Sequence, residues 1–420
     1  MSAATAPPSI ATTPPWPRRK PGQPGAGSSK RQHKLLPLAS ARHGLIIVGA
    51  GIAGLTLALE LARRGIPSTV LERAPRLDEV GAGLQLSPNA LRVLWRLGLR
   101  DRLSAAGTSA ASVTLRDGRT GRAIAQVPVS ADDGTPYLAL HRADLQQALL
   151  AAVAETQAIT LDLGATVTAV APDGNGLRID AISSGVERRL TASLVVGADG
   201  VRSALAAHLG LKGPDPAQAI AWRATLDGER AGEAPGVEAW LDPRRHAVAY
   251  PISGGRRTNL VLIEPASNAA DPDGLARRFG RWDRRLTAMI AGTGGFTPWP
   301  LQTVDAKRGW HHLDGGLVLI GDAAHAMPPY AAQGAGMAIE DAAVLAAVLA
   351  EAADNATALS HYESARRPRI DRLRRRVAFH GLVYHLPSPL SLGRNAVLAL
   401  RSPARLRQDL AWLYDWRPPA

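Results

Sequence analysis

The chain of 420 residues contains no cysteine and no apolar run that approaches the ~18 residues needed to span a membrane. The absence of cysteine excludes structural disulfides, thiolate metal sites and a redox pair of thiols. Arg18 and Arg19 are not followed by the apolar segment that an export signal requires. We therefore expect a cytoplasmic protein without a membrane partner, and we assign no metal ligands.

Aromatic residues are also scarce, at 4% of the chain, and this bears on the net charge of +13. Residues 1–43 hold seven basic residues and no acid, which leaves +6 for the rest of the chain. This segment is rich in Pro, Ser, Ala and Gly without periodicity, so we predict a disordered basic tail. A second basic cluster, residues 366–376, lacks the interleaved aromatics of a base-stacking surface. We interpret it as a solvated helix face and expect no nucleic-acid partner.

A glycine-rich turn between a strand and a helix is the most informative motif. Residues 45–73 read LIIVGAGIAGLTLALELARRGIPSTVLER. Gly49 permits the tight bend, Gly51 lets backbone approach a pyrophosphate, and Gly54 lets the helix pack on the strand. Glu72 closes a second strand at the distance where a carboxylate binds an adenosine ribose. The unit predicts dinucleotide binding, and a purely structural glycine turn is the alternative.

Two further turns follow apolar strands, GADG at 197–200 and GDAAH at 321–325. Open α/β sheets bind ligands at the carboxyl ends of their strands. A long alanine-rich helix begins near Gly336, and its first amides would face a ligand. Arg142, at the entrance of another helix, can pair with a phosphate. The alternatives are an exposed salt bridge for Arg142 and a plain turn for GADG.

Three strand-end turns in this order are what one large ligand such as FAD needs. On these motifs the chain resembles the single-component flavin aromatic hydroxylases, the family of para-hydroxybenzoate hydroxylase, and in particular its salicylate hydroxylase and hydroxybenzoate 6-hydroxylase branch. The resemblance covers residues 44–416. It rests on GAGIAG at 49–54, EVGAGLQLSPNALRVL at 79–94, LHRADL at 140–145, GADGVRS at 197–203, GDAAHAMPPYAAQGAGMAIEDA at 321–342 and YDWRP at 414–418.

The strand-rich pattern of residues 220–264 and the resemblance together imply the fold class. We expect an α/β fold in which a Rossmann-like FAD-binding domain is interleaved with a β-sheet-rich substrate domain and followed by C-terminal helices. The FAD-binding domain is placed at residues 44–111, 137–205 and 306–365, the substrate domain at 112–136 and 206–305, and the C-terminal helical segment at 366–420.

The resemblance implies FAD as cofactor, NAD(P)H as transient co-substrate and O2 as oxidant, acting through a C4a-hydroperoxyflavin. AGTGG at 291–295 follows no apolar strand, so NAD(P)H lacks a Rossmann domain of its own. This and the missing thiol pair argue against the disulfide reductases. By the resemblance Glu72 holds the ribose, Arg142 the phosphates, Asp199 the FAD and the nicotinamide, and Asp322 a ribityl hydroxyl. The whole expected cofactor set is Gly49, Gly51, Ala53, Gly54, Glu72, Arg73, Gly83, Arg142, Asp199, Asp322, Gly334, Gly336 and Met337, with the amides around Gly336 and Met337 facing the flavin pyrimidine edge.

Hydroxylation of a ring needs an electron-rich, preferably deprotonated phenol, so a base or proton relay should lie over the flavin. His246 and Tyr250 lie four apart, hence on one face of a strand, and relatives use a His and a Tyr at similar spacing. Tyr330 occupies the position where some relatives place a catalytic His or Gln. For these three candidates, and more so for His325, a structural role is the alternative. Arg223 would meet a substrate carboxylate or turn to solvent.

These inferences predict an FAD-dependent monooxygenase that hydroxylates a phenolic or N-heteroaromatic acid, with or without decarboxylation. Its partners would be a small aromatic substrate and O2, and its state a monomer or homodimer. One alternative is oxygenation of a non-aromatic natural product or quinone precursor on the same scaffold. The other is a non-catalytic flavin-binding protein.

Overall fold

A computed structural model describes residues 44–77, 82–174, 176–228 and 236–420. The predicted tail and part of the motif at 79–94 lie outside these ranges. The described strands are β1 (Gly44–Val48), β2 (Ser68–Glu72), β3 (Gly83–Leu86), β4 (Thr108–Ala110), β5 (Ser112–Asp117), β6 (Ala123–Pro128), β7 (Tyr137–His141), β8 (Ile159–Leu163), β9 (Ala165–Asp173), β10 (Gly176–Ser183), β11 (Val186–Gly197), β12 (Ala219–Asp227), β13 (Val237–Asp242), β14 (Arg245–Ile252), β15 (Arg257–Pro265), β16 (Thr297–Pro300), β17 (His311–His312) and β18 (Leu317–Leu319). The described α-helices are α1 (Ile52–Arg63), α2 (Pro88–Arg96), α3 (Arg100–Ala106), α4 (Arg142–Ala154), α5 (Ala204–His208), α6 (Leu275–Phe279), α7 (Arg284–Ala291), α8 (Asp322–His325), α9 (Gly334–Glu351), α10 (Asn355–Tyr384), α11 (Leu390–Leu400), α12 (Pro403–Gln408) and α13 (Ala411–Tyr414). Among these residues, no helix combines the length and the hydropathy of a membrane span.

An eight-stranded sheet holds the glycine-rich turn at its centre. Its main path runs β17-β18-β11-β1-β2-β8, and β1 pairs in parallel with both β11 and β2. Residues 45–48 of β1 are all apolar, as is typical of a strand that is covered on both faces. Since β1, β11 and β18 are parallel, their carboxyl ends meet at one edge of the sheet. The three predicted turns are therefore neighbours in space.

A seven-stranded sheet, ordered β16-β12-β15-β14-β13-β5-β6, forms the second layer. Along β14, Ala247 and Ala249 pack with Phe279 of α6 in a buried cluster on one face. His246 and Tyr250 are on the other face, because strand side chains alternate. The expected α/β fold with a sheet-rich second part is confirmed, whereas the domain bounds drawn from the sequence stay a prediction.

A buried cluster of ion pairs joins α9 to α10. Glu340 and Asp341 of α9 are fully buried, and Arg366 of α10, 1% exposed, pairs with both carboxylates. Arg369 adds a second cation, with its Nε 2.6 Å from Glu340 Oε2. The interpretation of residues 366–376 as a solvated helix face is therefore wrong for these two arginines. Their carboxylate partners lie on another helix, which local spacing does not reveal.

Asp341 also holds the turn that follows β18. The Gly321 amide donates to Asp341 Oδ2 at 2.9 Å, and His325 Nε2 lies 2.6 Å from the same oxygen. Burial raises the pKa of Asp341, but the charges and hydrogen bonds of His325 and Arg366 outweigh burial and hold this pKa below its ordinary value. The contact gives His325 a structural partner, in line with the structural alternative.

Replacing Arg366 with Met tests this cluster. R366M leaves the two buried carboxylates short of a cation, so we expect the free energy of unfolding to fall by about 3–5 kcal/mol. Arg375 is exposed on the same helix, and R375M should change it by less than about 0.5 kcal/mol. Urea unfolding followed by circular dichroism measures both variants. Equal stability of the two would contradict the role given to Arg366.

Candidate active site

A cavity of about 1690 Å³ extends from the edge of the parallel sheet to the open face of the seven-stranded sheet. It exceeds the ~300–1000 Å³ of a site for one drug-sized ligand, so a dinucleotide and a second small molecule fit together. Most residues singled out from the sequence line it. These are Gly49, Gly51, Ala53, Glu72, Arg73, Gly83, Arg142, Asp199, Arg223, His246, Tyr250, Asp322, Tyr330 and Gly334.

The glycines of the first turn have three different surroundings. Gly49 has φ +108°, and a Cβ there would lie 2.6 Å from the Ala198 carbonyl oxygen of the second turn. A Cβ on Gly54 would collide with the Gly49 carbonyl, so α1 packs on β1 only without a side chain here. A Cβ on Gly51 would meet nothing within 4 Å. The turn thus leaves open space beside the helix start, as a pyrophosphate site requires.

The Glu72 carboxylate is held in place at the end of β2. Its Oε2 accepts from the Ala50 amide at 2.8 Å, and its Oε1 accepts from the Ala74 amide at 2.9 Å. Each carboxylate oxygen has a further lone pair, so a ligand hydroxyl can still donate to it. Glu72 therefore presents a fixed acceptor to the cavity.

Asp199 supplies an acceptor from the second turn. Its Oδ2 caps α5 by accepting from the Ala204 amide at 2.7 Å, whereas its Oδ1 is buried without a hydrogen-bond partner. Burial raises the pKa of Asp199, and the hydrogen bonds from Ser203 and nearby amides offset part of this. A buried acceptor without a donor favours a ligand hydroxyl at this point. Asp322, from the third turn, is exposed at the start of α8.

The start of α9 differs in detail from the expectation. Gly334 and Ala335 line the cavity, and first-turn amides have no partner within their helix. The Met337 amide instead donates to the Gln333 carbonyl at 2.9 Å, and its side chain is buried. Gly336 packs against the Gln333 side chain. The helix therefore offers Gly334 and Ala335, rather than Met337, to a ligand.

Two arginines face the cavity without an ion pair to any described residue. Arg142 begins α4, and Arg223 lies on β12. The Arg223 guanidinium lies 5.0 Å from the Trp299 ring centroid, and its Nε is buried without a hydrogen-bond partner. Burial lowers the pKa of Arg223; Tyr250 opposes this and Arg142 adds to it. The strand turns Arg223 to the cavity, where an anionic ligand would neutralise it.

His246 and Tyr250 are brought together on the cavity face of β14, as their spacing predicts. Burial lowers the pKa of His246 well below its ordinary value, so its imidazole is neutral at ~pH 7. Burial raises the pKa of Tyr250, with partial compensation from Arg223 and Gln85, so its phenol stays protonated. The face thus offers one neutral proton acceptor and one proton donor.

Tyr330 borders the cavity from the loop between α8 and α9. Its ring lies edge-on to His246, with centroids 5.4 Å apart. Its carbonyl accepts from His380 Nδ1 at 2.9 Å, and burial raises the pKa of the Tyr330 phenol. A Cβ on Gly381 of α10 would lie 3.1 Å from the Tyr330 ring. The position of Tyr330 is therefore set by close packing on α10.

Three residues near this centre were not anticipated from the sequence. Gln85 accepts from the Tyr137 hydroxyl at 2.8 Å, and its spacing of two from Gly83 on β3 is a signal that could have found it. Trp299 lies on an edge strand beside Arg223. His385 contacts His246 across 139 residues, and no local pattern points to that contact.

Comparisons with known proteins identify the family and the relatives of this chain. A family model described as "FAD binding domain" matches residues 43–377. The 3-amino-4-hydroxybenzoate 2-monooxygenase of Streptomyces cremeus is 35% identical over 385 residues, covering 88% of this chain and 94% of that protein. The 3-hydroxybenzoate 6-hydroxylase 1 of Aquipseudomonas alcaligenes is 34% identical over 391 residues, covering 89% and 97%. Klebsiella pneumoniae HpxO, solved with FAD and uric acid, shares the fold with a TM-score of 0.77 at 24% identity, covering 89% of this chain and 97% of that one.

Alanine at Gly51 and at Gly54 separates binding from folding. G51A enters open space, so we expect unchanged stability of the ligand-free protein but about tenfold weaker FAD binding, since the methyl occupies the pyrophosphate side. G54A collides with backbone and should cost about 1–3 kcal/mol of stability. Urea unfolding and titration by flavin fluorescence measure the two effects. Unchanged FAD affinity in a folded G51A would contradict the placement.

Proposed function

The chain belongs to the FAD-binding-domain family and is an FAD-dependent aromatic hydroxylase, and from that premise we propose that its substrate is a phenolic or N-heteroaromatic acid. The ring is hydroxylated with or without loss of the carboxyl group, with NAD(P)H as reductant and O2 as oxidant. We also propose the cytoplasm as its compartment and a monomer or homodimer as its state. Both relatives described above carry hydroxybenzoates in their names, which supports an acid.

The unpaired guanidinium of Arg223, which is half-buried and has a fully buried Nε, is the observation that carries the choice of an acid. A partly desolvated cation without a partner is unfavourable, and a carboxylate that accepts from it offsets the lost hydration. The Trp299 ring covers one face of the guanidinium. A substrate ring bound beside Arg223 would therefore lie against this apolar side chain. A substrate carboxylate at Arg223 would direct the attached ring toward β14 and its cavity-facing side chains.

The proton chemistry is divided between His246 and Tyr250. The neutral His246 is suited to accept the proton of a ring hydroxyl or ring nitrogen, which raises the electron density of the ring. Tyr250 stays protonated and donates a hydrogen bond to the resulting anion. Tyr330 closes the site beside His246 and limits the access of water. When bound, FAD supplies the activated oxygen that is transferred to the ring.

We propose that the turns at the sheet edge hold FAD. The open side of Gly51 takes the pyrophosphate, which Arg142 neutralises, and Glu72 accepts from the adenosine ribose. Asp199 and Asp322 accept from hydroxyls of the cofactor. The remaining proposed contacts are Gly49, Ala53, Arg73, Gly83, Gly334 and Ala335. Gly54, Gly336 and Met337 act through packing and not by contact.

The proposal is tested with a substrate panel and an Arg223 variant. Salicylate, 3- and 4-hydroxybenzoate and 6-hydroxynicotinate should stimulate NADH or NADPH oxidation with coupled hydroxylated product, and phenol much less. For the compound that couples best, R223M should raise KM by about tenfold to a hundredfold, because a hydrogen-bonded ion pair is lost. R256M, at an exposed turn, is the control and should match wild type.

Three outcomes would contradict the proposal. Coupled turnover of non-aromatic compounds alone would favour the natural-product oxygenation reading of the same scaffold. If R223M leaves KM unchanged and phenol is as good a substrate as the phenolic acids, the substrate carboxylate does not bind Arg223. If NAD(P)H does not reduce the bound flavin in the presence of any ligand, a non-catalytic flavin-binding protein is favoured.

A further inference from the structure

A second histidine stands directly behind His246. The Nδ1 atom of His246 lies 2.9 Å from Nε2 of His385, the residue that follows α10. His246 lines the cavity, whereas His385 is half-buried and lies outside the set of described residues that line it. The pair therefore links the substrate side of β14 to the end of a 30-residue helix.

The surroundings of His385 determine which nitrogens carry protons. The His385 amide donates to the Leu382 carbonyl, which leaves the Gly381 carbonyl free at the helix end. With Nε2 of His385 facing His246, Nδ1 of His385 is the nitrogen available to donate to this carbonyl. In that tautomer Nε2 of His385 is an acceptor, and Nδ1 of His246 donates to it. This leaves the lone pair of His246 on Nε2, the nitrogen that the pair does not use.

The end of α10 offsets part of the cost of a charge on His385. Carbonyl groups and the negative end of the helix dipole favour a cation at the C-cap, which is His385. Burial lowers the pKa of both histidines, Arg394 lowers that of His385 further, and the Gly381 carbonyl partly restores it. The titratable and charged groups that face the pair are Tyr250 on β14 itself, Tyr330 from the loop, His380, Tyr384 and Arg376 from α10, and Arg394 from α11, which in turn faces Asp117 and Asp242.

We propose that His246 and His385 form a proton relay for the hydroxylation, an inference that rests on the proposed function. The substrate O–H bond breaks and an N–H bond forms at His246 Nε2, while the Nδ1 proton of His246 moves to Nε2 of His385. The substrate becomes a phenolate and His385 becomes the imidazolium, so no charge is left on the fully buried ring. His385 then exchanges its proton with solvent. It acts on the substrate only through His246 and is a positioning residue.

The relay is tested with His385→Gln. The glutamine oxygen accepts from His246 Nδ1 and keeps the ring oriented, but it takes up no proton. With the best panel compound, we expect kcat of H385Q at ~pH 7 to fall about tenfold to a hundredfold with KM within about threefold of wild type. The loss should shrink as pH rises, because hydroxide replaces the relay. His361, exposed on the same helix, gives the control H361Q, which should follow the wild-type pH profile.

A second measurement needs no turnover. Long-range couplings in histidine-labelled, FAD-loaded protein without substrate report which ring nitrogens are protonated. We expect Nδ1–H for both His246 and His385, with the His385 signals identified by their loss in H385Q. An Nε2–H form of His246, or a wild-type pH profile in H385Q, would overturn the relay. If no panel compound is turned over, the proposed function fails, and the tautomers still decide whether the pair is built as a relay.

Discussion

The ion pairs between two adjacent carboxylates of α9 and the arginines of α10 are the constraint on which the site depends. Asp341 reaches the turn after β18, and Glu340 accepts from Asn89 of α2 at 2.6 Å. One turn of α9 therefore fixes the sheet edge, α2 and α10 relative to one another. Buried ion pairs add little net stability by themselves, but removing one partner is expensive, so they define a single arrangement. Because α10 carries Gly381, which packs on Tyr330, and is followed by His385, which contacts His246, the cavity face of β14 depends on that arrangement.

Much of the fold, and the sheet edge that carries the glycine-rich turns, could be predicted because these features depend on residues close together in the sequence. The roles of Gly49 and Gly54 follow from backbone conformation and close packing, which a sequence motif records directly. The shared face of His246 and Tyr250 follows from strand periodicity. Arg366 was misread because a helix pattern does not say which face meets another element. His385 was missed for the same reason, since its partner is 139 residues away.

The cavity separates permanent charge from mobile protons. In the proposed function, Arg142 and Arg223 of the cavity wall provide fixed positive charge for the anions that enter, namely phosphates and a carboxylate. Burial lowers the pKa of His246 on β14 and, to about 4, that of His380 on α10, so both imidazoles are neutral. A site built this way attracts an acid by its carboxylate and ionises it only at the ring. Binding and activation of the same molecule thus use different walls.

The contact between Gly381 and the Tyr330 ring has a consequence for the size of the cavity. A methyl at Gly381 would press on this ring, which borders the cavity beside His246. The size of aromatic nucleus that fits is then adjustable by a residue that never meets the substrate. Gly381 does not line the cavity, although its neighbours His380 and Tyr384 on α10 do, so the space beside His246 depends on a residue behind the cavity wall.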